Sequence, residues 1–353
     1  MTAAASTPAS TAGTMRAFAQ TRFGGVEVLE ELQLPVPVPS GPDLLVRMEA
    51  VALNPVDTKV RSNWNGFGTL QSGDPVITGW DGAGVVEALG PTHDGRFQPG
   101  DAVFFAGNVA RAGCQRQFTL VDSRLVGRRP RRLSAAEAAA LPLTALTVWE
   151  GMLDRQGIAL HPGAAPVTVL LIGGAGGVGS NAIQILRRVA GARVIATASR
   201  PESVAHCLAL GANHVIDHHG DLRAQLQDLG IEQVDQVLHT SEPDGTLEAI
   251  LPLVAPLGRI VCLLPIQQPL ASADLFARSI RLEYELMFTR SLFSVDLAHQ
   301  GAILDRIADL VDAGVLTSTM RSDLPWTLEN LREGHRRIEG RQTLGKIVLR
   351  LEG

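Results

Sequence analysis

The stretch VTVLLIGGAGGVGSNAIQILRRVA (167–190) decides how this chain folds. It opens with a short run of β-branched and apolar residues, VTVLLIG (167–173), which reads as a fully buried strand. Glycines then crowd the chain. Gly174, Gly176 and Gly179 satisfy G-x-G-x-x-G, with Ala175, Gly177 and Val178 between them. After the loop, the segment around SNAIQILRRVA has helical periodicity, giving a helix over 178–190. Strand, glycine turn and helix in that order form the context in which the pattern carries chemistry. The glycines permit a tight turn and close backbone approach to a pyrophosphate. The helix start offers unpaired N–H groups and a positive dipole end.

Outward from this unit, strands and helices alternate. ARVIATA (192–198) precedes PESVAHCLALGA (201–212), and HVID (214–217) precedes DLRAQLQDLG. QVDQVLHT (233–240) precedes DGTLEAILPLV, and GRIVCLL (258–264) and SIRLEYELMF (279–288) follow. Near-continuous apolar strands alternating with helices imply a parallel sheet covered on both faces. Upstream, LSAAEAAALPLTALTVWEGML (133–153) is helical, with Ser134 and Glu137 placed as a capping box. Residues 15–130 read mostly as β, from MRAFAQ (15–20), LLVRMEAVAL (44–53), GAGVVEALG (82–90), DAVFFAG (101–107) and RQFTLVD (116–122). A long amphipathic helix is expected near 295–313. GKIVLRLE (345–352) reads as a strand that returns to the first unit. The fold class is therefore α/β, with a β-rich unit ahead of a doubly wound parallel sheet.

Composition narrows the function. At roughly 150 residues per domain, the 353 residues suggest two domains or three. The first 14 residues, MTAAASTPASTAGT, read as a disordered tail, with neither the basic nor the apolar region of a signal peptide. A net charge of −5 offers no basic surface for nucleic acid or anionic membranes. No apolar run is long enough for a membrane span. Cys114, Cys207 and Cys262 are odd in number and widely spaced, so they imply neither a disulfide framework nor a zinc-finger site and fit a reducing cytoplasm. Of 31 cations only two are lysines, Lys59 and Lys346.

The end of the second strand discriminates between nucleotides. An NAD site places Asp or Glu there, about 20 residues past the glycines, to hold the ribose 2′-hydroxyl. This chain has Ser199 and Arg200. Nothing there repels a 2′-phosphate, and the Arg200 guanidinium can bind one. NADP(H) is therefore the expected cofactor, with His218, just past the third strand, a further candidate for the same phosphate.

Four segments occur in a telling order: NPVDTKVR (54–61), GWDGAGVV (79–86), LPLTA (141–145) and the loop 173–179. Together they resemble the medium-chain dehydrogenase/reductases of the quinone oxidoreductase type, over nearly the whole chain from residue 15. TASRPES (197–203), HVIDH (214–218) and MFTRS (287–291) resemble more closely the subgroup named zinc-type alcohol dehydrogenase-like. The resemblance implies a GroES-like catalytic domain (15–132 and 294–353), a Rossmann NADP(H)-binding domain (133–293), and an active site in the cleft between them. It further implies NADPH-dependent reduction of quinones or activated C=C bonds, by a homodimer.

Zinc members of this superfamily use cysteine, histidine and acidic ligands, with a Gly-His-Glu segment. Here the matching stretches read Gly79-Trp80-Asp81 and Leu53-Asn54-Pro55, without thiolate or imidazole. A catalytic zinc needs three protein ligands and an open position, so no metal is expected. Without a Lewis acid, hydride transfer needs a substrate that moves charge readily onto oxygen, with side chains to stabilise it. The candidates are Asn54, Lys59 and Thr144, with Lys346 as a cofactor contact. Asp57 and Arg61 are expected to pair as architecture. The loop SNWNGFG (62–68) is expected to overhang the cleft and shape specificity. Two other readings stand beside this one: a zinc-dependent alcohol dehydrogenase and a non-catalytic NADPH-binding protein.

Overall fold

The computed structural model describes residues 13–64, 75–158, 166–270, 272–341 and 343–351. The chain begins with an antiparallel pair, β1 (Thr14–Ala19) and β2 (Glu30–Pro35). Thr14, expected in the tail, is already the first residue of β1. Residues 1–12 of that tail lie outside the described residues, as do residues 65–68 of the expected overhanging loop.

Next come β3 (Asp43–Ala52), helix α1 (Pro55–Ser62), β4 (Gly82–Leu89), β5 (Ala102–Phe105), β6 (Phe118–Asp122) and β7 (Val126–Arg128). Helix α1 interrupts a segment expected to be mostly β. It forms because Pro55 occupies the first turn and Asn54 and Asp57 close a capping box around the free N–H groups.

The expected capping box at Ser134 and Glu137 starts α2 (Ala135–Ala139), but the helix does not run on to residue 153. Pro142 lacks the N–H that would continue it and instead begins α3 (Pro142–Val148), which passes into a π-helical turn over Trp149–Arg155.

The parallel unit is β8 (Thr168–Ile172), α4 (Gly177–Gln184, with a π-helical extension to Val189), β9 (Arg193–Thr197), α5 (Pro201–Leu210), β10 (His214–Ile216), α6 (Leu222–Asp228), β11 (Val234–His239), α7 (Leu247–Ile250), β12 (Val254–Cys262), α8 (Ala273–Arg278) and β13 (Arg281–Tyr284). These strands form one six-stranded sheet in the order β10-β9-β8-β11-β12-β13, paired in parallel throughout. The order reverses between β8 and β11, and ligands of such sheets bind in the crevice beyond the strand ends at that point.

The chain continues through α9 (Thr289–Phe293), α10 (Leu297–Asp312), β14 (Met320–Pro325), α11 (Leu328–Glu339) and β15 (Lys346–Arg350). β14 and β15 join β3, β4, β5 and β7 in a sheet ordered β14-β15-β3-β4-β5-β7, with β6 on β3. This closes a GroES-like domain from both sides of the parallel unit. Helix α3, buried along its length, and α2, buried on one face, lie between the two sheets, and Ala138, Leu141, Leu146 and Val148 join the shared core. Among the described residues, no helix is long and apolar enough to cross a membrane.

Candidate active site

The glycine loop joins β8 to α4, where the strand order reverses. Its glycines do different work. A Cβ on Gly174 would come within 2.7 Å of Ala196 Cβ and 3.1 Å of Cys207 Sγ, so this position lets loop, β9 and α5 close up. A Cβ on Gly179 would press into the carbonyl oxygens of Gly173 and Gly174, so this glycine lets the helix sit on the strand end. Gly176 caps α4 with no side-chain hydrogen bond, and a Cβ there would meet nothing nearer than 3.8 Å. That leaves open space before the first N–H groups of the helix, which have no partner within it. Ala175 and Val178 pack against the core between the domains. The cradle fits the pyrophosphate of a dinucleotide.

Gly177, outside the consensus positions, answers to a residue far along the chain. A Cβ there would lie 2.8 Å from Lys346 Cδ and 3.4 Å from Thr144 Cγ2. The Lys346 stem runs over the loop, and the backbone locks it there: Gly345 N–H donates to Ala175 O at 2.9 Å, and Gly176 and Gly345 form a parallel bridge.

The Lys346 ammonium does not reach open solvent. Lys346 is 3% exposed, and Nζ donates to Asn54 Oδ1 and, at 2.8 Å, to Asp81 Oδ2. Asn54 Nδ2 donates to the same Asp81 oxygen at 3.1 Å and to Ala52 O at 3.5 Å. Asp81 Oδ1 accepts the Leu143 N–H at 3.0 Å, at the start of α3. Asp57 accepts the backbone N–H groups of Asn54 (2.7 Å) and Gly79 (3.2 Å). Burial pushes Asp57 up to about 7, against the pull of these hydrogen bonds and of Lys346. Burial likewise lifts Asp81, with Lys346 opposing it. One buried cation thus serves two buried carboxyls and links the barrel, helix α3 and the glycine loop.

The sequence-predicted residues divide accordingly. Asn54 and Lys346 meet in this centre, but their polar atoms are spent on each other and on Asp81. Asn54 is therefore a structural amide here, not a free donor to a ligand. Thr144 lies beside the loop, buried. Its Oγ1 accepts from Asn181 Nδ2 at 2.6 Å and donates to Leu141 O at 3.2 Å, so its remaining capacity is to accept.

Lys59 stands apart, with Nζ 4.3 Å from the Trp64 ring centroid. Burial lowers its pKa, while Glu242 raises it and Arg341 lowers it further. Glu242 follows β11 and Arg341 precedes β15, and the two pair at 2.9 Å across the cleft mouth. Ser199 and Arg200 emerge at the end of β9, where Arg200 Nε lies 3.3 Å from Glu202 Oε1. His218 follows the adjacent β10 and stacks on His219 with ring centroids 4.2 Å apart.

The expected Asp57–Arg61 pair does not form. Arg61 Nε instead donates to Gly24 O at 3.1 Å, and the guanidinium reaches His335 and Glu339. The sequence pattern does not single out Asn181, and it places Asp81 inside GWDGAGVV (79–86) without marking it as a site residue. Trp80, buried, packs edge-on to Phe288 with centroids 6.4 Å apart.

The zinc that a dehydrogenase fold of this kind can carry does not fit these residues. The centre offers an amide, hard carboxylates and an ammonium already bound to them. Among the described residues, no three His, Cys, Asp or Glu side chains gather as a ligand set.

Comparison with known proteins agrees with this architecture. Residues 40–146 match the alcohol dehydrogenase GroES-like domain, and residues 210–349 match a family described as zinc-binding dehydrogenase. A zinc-type alcohol dehydrogenase-like protein of Staphylococcus epidermidis is 34% identical over 327 residues, covering 92% of this chain and 95% of its own. A candidate zinc-dependent alcohol dehydrogenase from Rhizobium etli superposes with a TM-score of 0.89 at 40% identity, covering 96% and 99% of the two chains. A mycobacterial protein solved with NADPH (TM-score 0.79) and a quinone oxidoreductase of Pseudomonas syringae (TM-score 0.80) are each 26% identical, over 95% of this chain and 99% of theirs. The chain is thus an oxidoreductase of the medium-chain dehydrogenase/reductase superfamily, in its zinc-type alcohol dehydrogenase-like group.

Proposed function

We propose that this protein is a zinc-independent, NADPH-dependent oxidoreductase that passes hydride to a quinone or to the activated C=C bond of an α,β-unsaturated carbonyl, acting as a cytoplasmic homodimer. The observation that carries this reading is the Lys346 ammonium held by Asn54 and Asp81. The cleft contains its own cation, committed to the Asn54 amide and the Asp81 carboxylate, where a catalytic zinc would need thiolate or imidazole ligands. A substrate reduced here must carry its negative charge on an oxygen that side-chain donors can stabilise. The quinone oxidoreductase and the NADPH-bound protein among its structural relatives support the same chemistry.

NADPH supplies the hydride. The N–H groups at the start of α4 bind the pyrophosphate, and Arg200 binds the 2′-phosphate, with Ser199 and His218 flanking it. Thr144, its own proton committed to Leu141 O, would approach the nicotinamide as an acceptor. Lys59, its ammonium destabilised by burial, donates toward the developing oxyanion. Loss of NADPH absorbance with a simple quinone and a simple enone tests the proposal. Turnover with either supports it. Tight NADPH binding without turnover of either makes the protein a binding module, and stoichiometric zinc in the active protein overturns the metal-free mechanism.

A further inference from the structure

Where the GroES-like sheet meets the glycine loop, one cation stands uncommitted. β14 and β15 run in parallel, with Met320 opposite Lys346 and Ser322 opposite Ile347. Arg321 is therefore an extra residue in β14, a bulge of the kind that re-aims a side chain. It is exposed. Its stem crosses Gly345, where a Cβ would lie 2.7 Å from Arg321 Cγ. Gly345 is the residue that donates to Ala175 O at 2.9 Å and bridges to Gly176. Backbones paired in this way lie about 4.8 Å apart, a distance that the side chain beyond Cγ can span. Arg321 thus stands beside Gly176, where the loop leaves open space.

No hydrogen bond or ion pair holds its guanidinium among the described residues. On its outer side Arg321 lines a groove with Glu333, Arg336 and Arg337. Arg336 and Arg337 already bind Glu333, at 3.3 and 3.0 Å. The groove therefore offers Arg321 two like charges and a carboxylate that is taken.

The cradle has the opposite need. Residues 173–179 carry no charged side chain, and Lys346, which crosses them, spends its ammonium on Asn54 and Asp81. The start of α4 contributes about half a positive charge, whereas a pyrophosphate brings a full negative charge on each phosphate.

We infer that Arg321 is the side-chain counter-ion of the cofactor's pyrophosphate. Its guanidinium fork donates to the phosphate oxygens from the GroES-like side while the α4 N–H groups hold them from the other. This rests on the dinucleotide reading proposed above and adds a ligand from the opposite domain. The pyrophosphate is common to NADPH and NADH, so Arg321, unlike Arg200, does not choose between them.

The test measures dissociation constants of NADPH, NADH and adenosine 2′-monophosphate for full-length wild type, Arg321→Gln and Arg200→Ala. Arg321→Gln should weaken NADPH and NADH alike, by about tenfold. It should leave adenosine 2′-monophosphate, which has no pyrophosphate, unchanged. Arg200→Ala should weaken NADPH and adenosine 2′-monophosphate and spare NADH. Arg321→Lys, which keeps the charge without the fork, should fall between wild type and Arg321→Gln. With its side chain outside the core, Arg321→Gln should keep the wild-type melting temperature without nucleotide and lose part of the rise that NADPH gives. Unchanged dinucleotide affinities in Arg321→Gln overturn the assignment, as does a loss confined to NADPH, which would make Arg321 a 2′-phosphate contact. Wild type that binds neither dinucleotide overturns the NADP(H) reading itself, a result separate from any behaviour of the variants.

Discussion

The two walls of the cleft are built on opposite principles. On the parallel-sheet side, the loop Gly174–Gly179 works through its backbone, with only Ala175 and Val178 carrying side chains. Backbone N–H groups and open space form the surface, and two of the glycines exist to let strand and helix close up. On the barrel side, everything depends on charge. Asn54, Asp57, Asp81 and Lys346 are buried, and each polar group is held by another. The first wall tolerates a variable ligand because it is bare. The second is intolerant because removing one member strands the rest.

That difference predicts an order of sensitivities. Lys346→Met keeps the stem and deletes the charge, leaving Asp81 buried without its cation. Breaking a buried pair in this way costs about 3–5 kcal/mol, readable as a lower denaturant midpoint. A double variant with Asp81→Leu should recover part of that loss, and a Lys346→Met protein as stable as wild type would break the comparison. Next, Arg200→Ala should cost about 1.5–3 kcal/mol of NADPH binding in a fluorescence titration while leaving NADH nearly unchanged. Equal losses for both nucleotides would move the 2′-phosphate elsewhere. The smallest effect joins the two walls. Gly177→Ala should cost about 1–2 kcal/mol, because the new methyl meets the flexible Lys346 stem and not fixed backbone. In a Lys346→Ala background the same change should be nearly neutral, and a double-mutant cycle measures the coupling.

The same contrast explains what was legible in the sequence. The glycine loop is local: strand, turn and helix lie within two dozen residues, and its spacing can be read directly. The barrel centre is assembled across 27 residues between Asn54 and Asp81 and 292 between Asn54 and Lys346, and no spacing rule links them. Lys346 drew attention through scarcity, since only two lysines occur, but its partners came from topology. Elements that broke the simple periodicities were harder to see. Helix α1 is short and begins at a proline. Helix α11 (LENLREGHRRIE) is so polar that its buried face amounts to Leu331, Gly334 and His335. Strand β14 alternates half-buried and exposed residues and ends on Pro325. The central parallel strands β8 and β9, buried along nearly all their length, announced themselves by apolar runs alone.

The pairing of β15 with β3 bears on the order in which the molecule assembles. The GroES-like sheet is interrupted in sequence by the whole parallel unit, so its closing strand must find a partner some 300 residues upstream. For a flexible chain that is a costly loop to close, and pairings of such long separation form slowly. The parallel unit is rich in contacts between neighbouring elements and can form first, and once it is compact it holds the two ends of its insertion near one another. The separation left to close is then shorter by the length of that unit. On this account the parallel unit serves as a scaffold for folding before it serves as a binding domain, and the glycine loop meets its lysine only in the final step.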